Sequence, residues 1–113
     1  LPSFIGFAHS TENISDGTQT ALSITHAVTL LQSSGTGTAT TLADGTVVGQ
    51  LKVIIHDTDG GTSILAVTDG MGFADLDFVD DGDTAMLMWS GTSWAILSQQ
   101  SVASDVGLID LAN

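Results

Sequence analysis

The 113-residue chain has no cysteine, one proline and one basic side chain, Lys52. Without cysteine there is no disulfide and no thiolate zinc site, and the redox compartment leaves no mark on the sequence. The shortage of cations excludes more. Against that single lysine stand 13 acidic residues, a net charge of −12. Duplex DNA and anionic membranes both recruit Lys and Arg, so neither is an expected partner. Side-chain salt bridges must be scarce, which leaves hydrogen bonds and apolar burial to hold the chain together. Long apolar runs are missing as well, and none approaches the ~20 residues of a membrane-spanning helix. The opening LPSFIGFAHS has neither a basic segment nor a long apolar one and is not expected to be a signal peptide.

What is present is equally lopsided. Charged residues make up 12% of the chain, about half the usual share. The surface must therefore be mostly Ser, Thr, Gly and apolar atoms, which suits a protein buried in an assembly better than a free enzyme. Thirteen glycines and abundant Thr and Ser indicate short strands joined by tight turns. Strands are expected near Phe4–Ala8, Thr20–Ile24, Ala27–Gln32, Thr38–Leu42, Gly49–His56, Ser63–Thr68, Ala74–Val79, Ala85–Trp89 and Ser93–Ser98. The separators SDGT, SSGTG, ADGT, DTDGG, TDGMG, DDGD and SGTS supply Gly, or Asp beside Gly, where the backbone needs positive φ. No helical stripe and no long repeat is visible. The expected fold is all-β, a jelly-roll-like sandwich or small barrel of about eight or nine strands, in one domain.

Alternation supports these strands. Leu51, Val53 and Ile55 share one face, with Lys52, Ile54 and His56 opposite. In FADLDFV, Ala74, Leu76 and Phe78 point in while Asp75 and Asp77 point out. The run Ala85–Trp89 breaks the rule. Ala85, Leu87 and Trp89 point one way, Met86 and Met88 the other, and both faces are apolar. A strand with one wet face alternates apolar and polar, so Met86 and Met88 are candidates for an oligomer or capsid interface. Phe4, Ile5 and Phe7 in the charge-free N-terminal arm are candidates for the same role.

Chemical motifs are sparse. DTDGG places Asp57 and Asp59 one residue apart, as a calcium loop would, but an EF-hand-type loop needs further acids that Gly61 and Thr68 do not provide. A hairpin turn is the preferred reading. Asp77, Asp80, Asp81 and Asp83 crowd one turn, where like charges repel; a Ca²⁺ ion could relieve them, and a solvated acidic turn is the simpler account. No cofactor is expected. His9, His26 and His56 lack metal-ligand spacing and are expected at strand ends or interfaces. There is no G-x-S-x-G elbow, and enzymatic activity is not expected. Trp89 and Trp94 flank the SGTS turn and read as a cross-strand pair that packs a hairpin, with a sugar-stacking platform as the alternative.

Between Thr41 and Ser98, about half the chain, LADG precedes GQ-x-K, a DGG turn follows, and a GD-x-x-x-L-x-W strand leads to a G-x-x-W-x-I return strand. This pattern resembles a module that recurs in structural proteins of tailed bacteriophages, especially marine and cyanobacterial ones. The resemblance implies residues 41–98 as a phage structural module, with N-terminal strands and an arm over 1–37 and a tail over 99–113. It further implies a β-rich, often trimeric head-decoration or fibre component without catalysis. The expected function is a capsid decoration or cement protein on the outer surface of the virion. Its expected partners are the major capsid protein and further copies of itself, three together in a trimer as the resemblance implies; a glycan-binding or trimerisation module of a fibre or adhesin is the alternative.

Overall fold

The computed structural model describes residues 11–15, 20–33, 35, 37–58 and 60–101. These residues form nine strands: β1 (Thr11–Ser15), β2 (Thr20–Ala21), β3 (Val28–Gln32), β4 (Ala39–Leu42), β5 (Leu51–Thr58), β6 (Ser63–Val67), β7 (Asp75–Phe78), β8 (Thr84–Trp89) and β9 (Trp94–Gln100). They lie in two sheets, one in the order β1-β3-β5-β8-β9 and the other in the order β2-β4-β6-β7. The all-β sandwich expected from the sequence is the fold that forms.

Its connectivity is not that of a jelly roll. The first six strands alternate between the sheets, and each pairs in parallel with the strand two places on, β1 with β3 and β3 with β5, β2 with β4 and β4 with β6. They wind as a flattened coil of three turns. The chain then reverses. β7 pairs antiparallel with β6, β8 with β5 and β9 with β8. DTDGG is accordingly a corner that carries the chain from β5 into the other sheet, and the expected hairpin does not form there. Corners and hairpins both need Gly or Asp, so the letters do not tell them apart. The coil repeats in space without repeating in sequence, since its turns differ in length and share no motif. Strand β1 has no apolar alternation to announce it; TENIS becomes a strand because β3 offers it an edge. The expected strand Phe4–Ala8 lies outside the described residues.

Two inward faces make the core. From the larger sheet come the rows Ile14, Leu31, His56 and Glu12, Thr29, Ile54, Ala85, with Leu87 beside Lys52. From the smaller come Thr40, Leu65, Leu76 and the pair Leu42, Val67. Along β7 the residues behave as expected, with Leu76 and Phe78 buried and Asp75 and Asp77 exposed, although Ala74 is exposed too. Strand β5 holds the surprise: the face carrying Lys52, Ile54 and His56 is the buried one. His56 lies in the core and not at a strand end or interface. It is tolerated there because both ring nitrogens have partners. Nδ1 donates to the Asp80 carbonyl at 3.0 Å, and Nε2 lies 3.3 Å from Ser63 Oγ.

Candidate functional site

Since β5 turns Lys52, Ile54 and His56 inward, Leu51, Val53 and Ile55 face out. Register extends them into rows across the sheet: Val28, Val53 and Met86 in one, Leu30 and Ile55 in a second, Leu51, Met88 and Ala95 in a third. These side chains are half-buried by one another and still open to solvent, and Met86 is 36% exposed. At the rim, Thr11, Asn13, Ser98 and Gln100 are exposed, polar and uncharged. The one carboxylate turned out from the described strands of this sheet is Asp57 near the end of β5, where the register shifts and the Gln32 amide donates to it at 2.8 Å. An apolar centre with a polar rim is the anatomy of a docking surface. The expected interface residues Met86 and Met88 lie on this face. Phe4, Ile5 and Phe7 lie outside the described residues.

The second built feature is the pole of the sandwich around Trp89 and Trp94. The two rings meet across the β8–β9 hairpin with centroids 5.4 Å apart and planes tilted by 59°. They are 5% and 0% exposed, so neither offers a ring face for a sugar to stack on. Gly91, at φ 108°, lets the intervening turn close. The pair also pins loops that are remote in sequence. Trp94 Nε1 donates to the Ala43 carbonyl at 2.9 Å, its backbone N–H to the Asp69 carbonyl, and its own carbonyl accepts from Met71. Trp89 packs against Gly45 so closely that a Cβ there would fall 2.5 Å from its ring. Gln50 braces the same loop by accepting from the backbone of Thr46 and Val47. The loop so held displays Val47 and Val48, 64% and 72% exposed.

The acidic residues separate into different environments. In the DDGD turn, Asp83 is buried and its Oδ2 accepts from the backbone N–H of Val79 and Asp80 at 2.9 and 3.1 Å. Its carboxylate caps its own turn, so the turn is not the uniformly solvated one expected. Asp80 is half-buried and Asp81 exposed. Asp57 is held by Gln32, and Asp59 lies outside the described residues. Among the described residues no three His, Asp or Glu side chains converge where a metal ion could be held. A carboxylate pair, Asp44 and Asp69, links the β4–β5 and β6–β7 loops. There the hydrogen bond that a protonated Asp44 donates to the Asp69 carboxylate, some desolvation and the Asp69 charge raise the Asp44 carboxyl above its ordinary value.

Lys52 is 1% exposed. Its Nζ donates to the carbonyls of Ser23 at 2.6 Å and His26 at 2.9 Å and lies 3.4 Å from Glu12 Oε1. Burial pushes the ammonium below the usual lysine range, opposed by Glu12. Burial also works to raise the Glu12 carboxyl. Bonds from Thr29 Oγ1 at 2.6 Å and the Ser23 N–H at 2.8 Å, together with the Lys52 charge, outweigh it and hold Glu12 below its ordinary value. With the chain's single Lys or Arg turned inward, no such cation reaches the described surface.

His56 and Ser63 come together although their letters suggested nothing. Their third partner is a main-chain carbonyl and both side chains are 0% exposed, so the pair is core structure. His26 is half-buried in the β2–β3 loop, its Nδ1 2.8 Å from Ser23 Oγ; His9 lies outside the described residues. The sequence pointed to Met86 and Met88 because a doubly apolar strand is visible by itself. It did not point to Val28, Leu30, Leu51, Val53 and Ile55 as outward, because alternation gives a period and not a direction. Compared with known proteins, the chain matches no family model and no curated protein.

Proposed function

We propose that the chain is a virion structural protein, a decoration or cement protein that docks on the outside of a tailed-phage head and clamps neighbouring capsomers. It acts as a homo-oligomer, a trimer in the number that the resemblance over Thr41–Ser98 implies, with the major capsid protein as its partner. The mechanism is burial of surface, with no chemical step. The observation that carries this reading is the outward face of the five-stranded sheet, apolar at its centre on a chain of net charge −12. An exterior without lysine or arginine suits a position outside the shell, away from packaged DNA. The test is to mix the protein with undecorated heads and sediment them. Saturable co-sedimentation is expected, with heads that resist heat better once loaded. Protein that stays in the supernatant at molar excess over capsomers would sink the reading.

The parallel coil favours one second reading, a trimerisation module of a phage fibre, because coils of stacked strands suit elongated assemblies. Fractionated particles discriminate the two: a fibre module goes with tails and a decoration protein with heads. A glycan site built on Trp89 and Trp94 has no support, since both rings are interior.

A further inference from the structure

We propose that the occupant of the outward face of the five-stranded sheet is another copy of this chain, the same faces of neighbouring copies turned toward one another about a symmetry axis. This rests on the reading above in treating the face as a docking surface and the chain as a homo-oligomer, and it names the surface that joins the copies.

Charge argues for a copy over a foreign protein. The chain carries a net charge of −12 and keeps its lysine inside, so two copies repel wherever their carboxylates approach. Asp75 and Asp77 stand out from the opposite sheet, which closes that side to a second copy. Between Thr11 and Ile55 on one flank, and across β8 and β9 on the other, the larger sheet turns out no charge at all. A foreign partner chosen by electrostatic complementarity would be basic and drawn to the acidic side. A neutral apolar face is complementary to its own likeness.

Shape and size agree. Twisted sheets pack face to face about 10 Å apart with their strands nearly aligned, and the Val28-Val53-Met86 row beside the Leu51-Met88 row gives each copy ridges that fit between the other's. Methionine adapts its shape to such a seam. Five strands about 4.8 Å apart and about five residues long cover roughly 400 Å² in projection. Protruding side chains present more accessible area than their projection. With the polar rim and exposed Leu97 on β9, the face approaches the ~800 Å² per partner of a stable interface. Like faces meeting about an axis give a closed assembly rather than a filament.

The experiment is sedimentation velocity on the full chain, without particles, at low and raised salt. A mass of two or three chains is expected, and association should tighten with salt, because screening removes like-charge repulsion and leaves apolar burial intact. Met86→Asp and Val28→Asp should each reduce the mass to one chain with the β circular-dichroism spectrum retained, whereas Ala66→Asp on the opposite sheet should leave it unchanged. A single-chain mass for the unaltered protein at high concentration and raised salt would overturn the proposal, the face then being covered by the chain's own terminal segments or by a foreign protein. So would association that Met86→Asp and Val28→Asp both leave intact. A single chain that still binds heads would sink self-association and spare the decoration reading; an oligomer that ignores heads would do the reverse.

Discussion

The two sheets are built on opposite plans. The four-stranded sheet is ordinary, with Leu65, Leu76 and Phe78 inside and the rows Ala39-Ile64-Asp77 and Thr41-Ala66-Asp75 outside. The five-stranded sheet buries Thr29, Lys52 and His56 and half-buries Glu12 among its apolar residues, and it turns Val28, Leu30, Leu51, Val53 and Ile55 outward. Both have the same alternation and share one core. The difference teaches that period-two patterning fixes which residues share a face, while the choice of inner face depends on which polar groups find partners there. Lys52 can lie inside because two carbonyls and Glu12 receive it, and Val53 can lie outside only if something covers it.

The sharpest way to break this arrangement is at the seam both sheets use. Trp94 belongs to the five-stranded sheet, yet it is bonded to Ala43 and Asp69 in loops that follow strands of the other. Truncating a buried Trp costs ~3–5 kcal/mol. Trp94→Ala also strands the Ala43 carbonyl, so it belongs at the top of that range. Thermal denaturation should show a fall of more than about 10 °C. Near-wild-type melting would mean that the pole does not join the sheets.

A smaller effect is expected from emptying the polar interior of the larger sheet. Lys52→Ala leaves a carboxylate and two carbonyls without their donor, and breaking a buried pair from one side costs ~3–5 kcal/mol. Glu12 keeps its bonds from Thr29 and Ser23, so the low end, about 3 kcal/mol, is expected. Because the Glu12 carboxyl is held below its ordinary value, its contribution is present at neutral pH and is lost as pH falls through that lowered value. The depressed Lys52 ammonium gives a slope of the same sign at high pH, where its desolvation, which opposes folding at neutral pH, is relieved. Between its folded and unfolded values the unfolded chain binds more protons, so stability rises with pH across that window. Denaturant melts of the wild type and the variant over pH should draw closer in acid, as the Glu12 share is lost while the bonds to the Ser23 and His26 carbonyls remain. A constant difference down to low pH would show that those bonds and packing of the lysine stem, and not the pairing with Glu12, hold the site.

Much of this fold was legible from the sequence. The all-β class and the strands from Val28 onward follow from alternation and from Gly-Asp punctuation, both of them local signals. The coil was not legible, because a Gly-Asp corner between sheets and a hairpin within one sheet use the same residues, as DTDGG shows. The short β1 and the inward turn of Lys52 depend on partners distant in sequence, β3 for one and Ser23 and His26 for the other. Of the candidate site, Met86 and Met88 announced themselves. Their neighbours on β3 and β5 became visible only when register aligned Val28 with Val53 and Val53 with Met86.

The smallest expected effect lies on the acidic side, where two carboxylates meet. The Asp44 carboxyl is raised by its hydrogen bond with Asp69 and by that neighbour's charge, the opposite of Glu12 in the larger sheet. A carboxyl raised on folding binds its proton more tightly in the folded chain. The repulsion it feels is therefore fully present at neutral pH and is relieved as pH falls through the raised value. Asp69→Asn removes the charge while keeping an amide of nearly the same shape. The titration midpoint of Asp44, followed by carboxyl carbon NMR, should fall toward that of an ordinary aspartate. Both groups are exposed, where water and salt screen the interaction, so the melting temperature should hardly move. An Asp44 midpoint unchanged by Asp69→Asn would mean that the loops do not bring the carboxylates together, and with it would go the idea that Trp94 pins them at one pole.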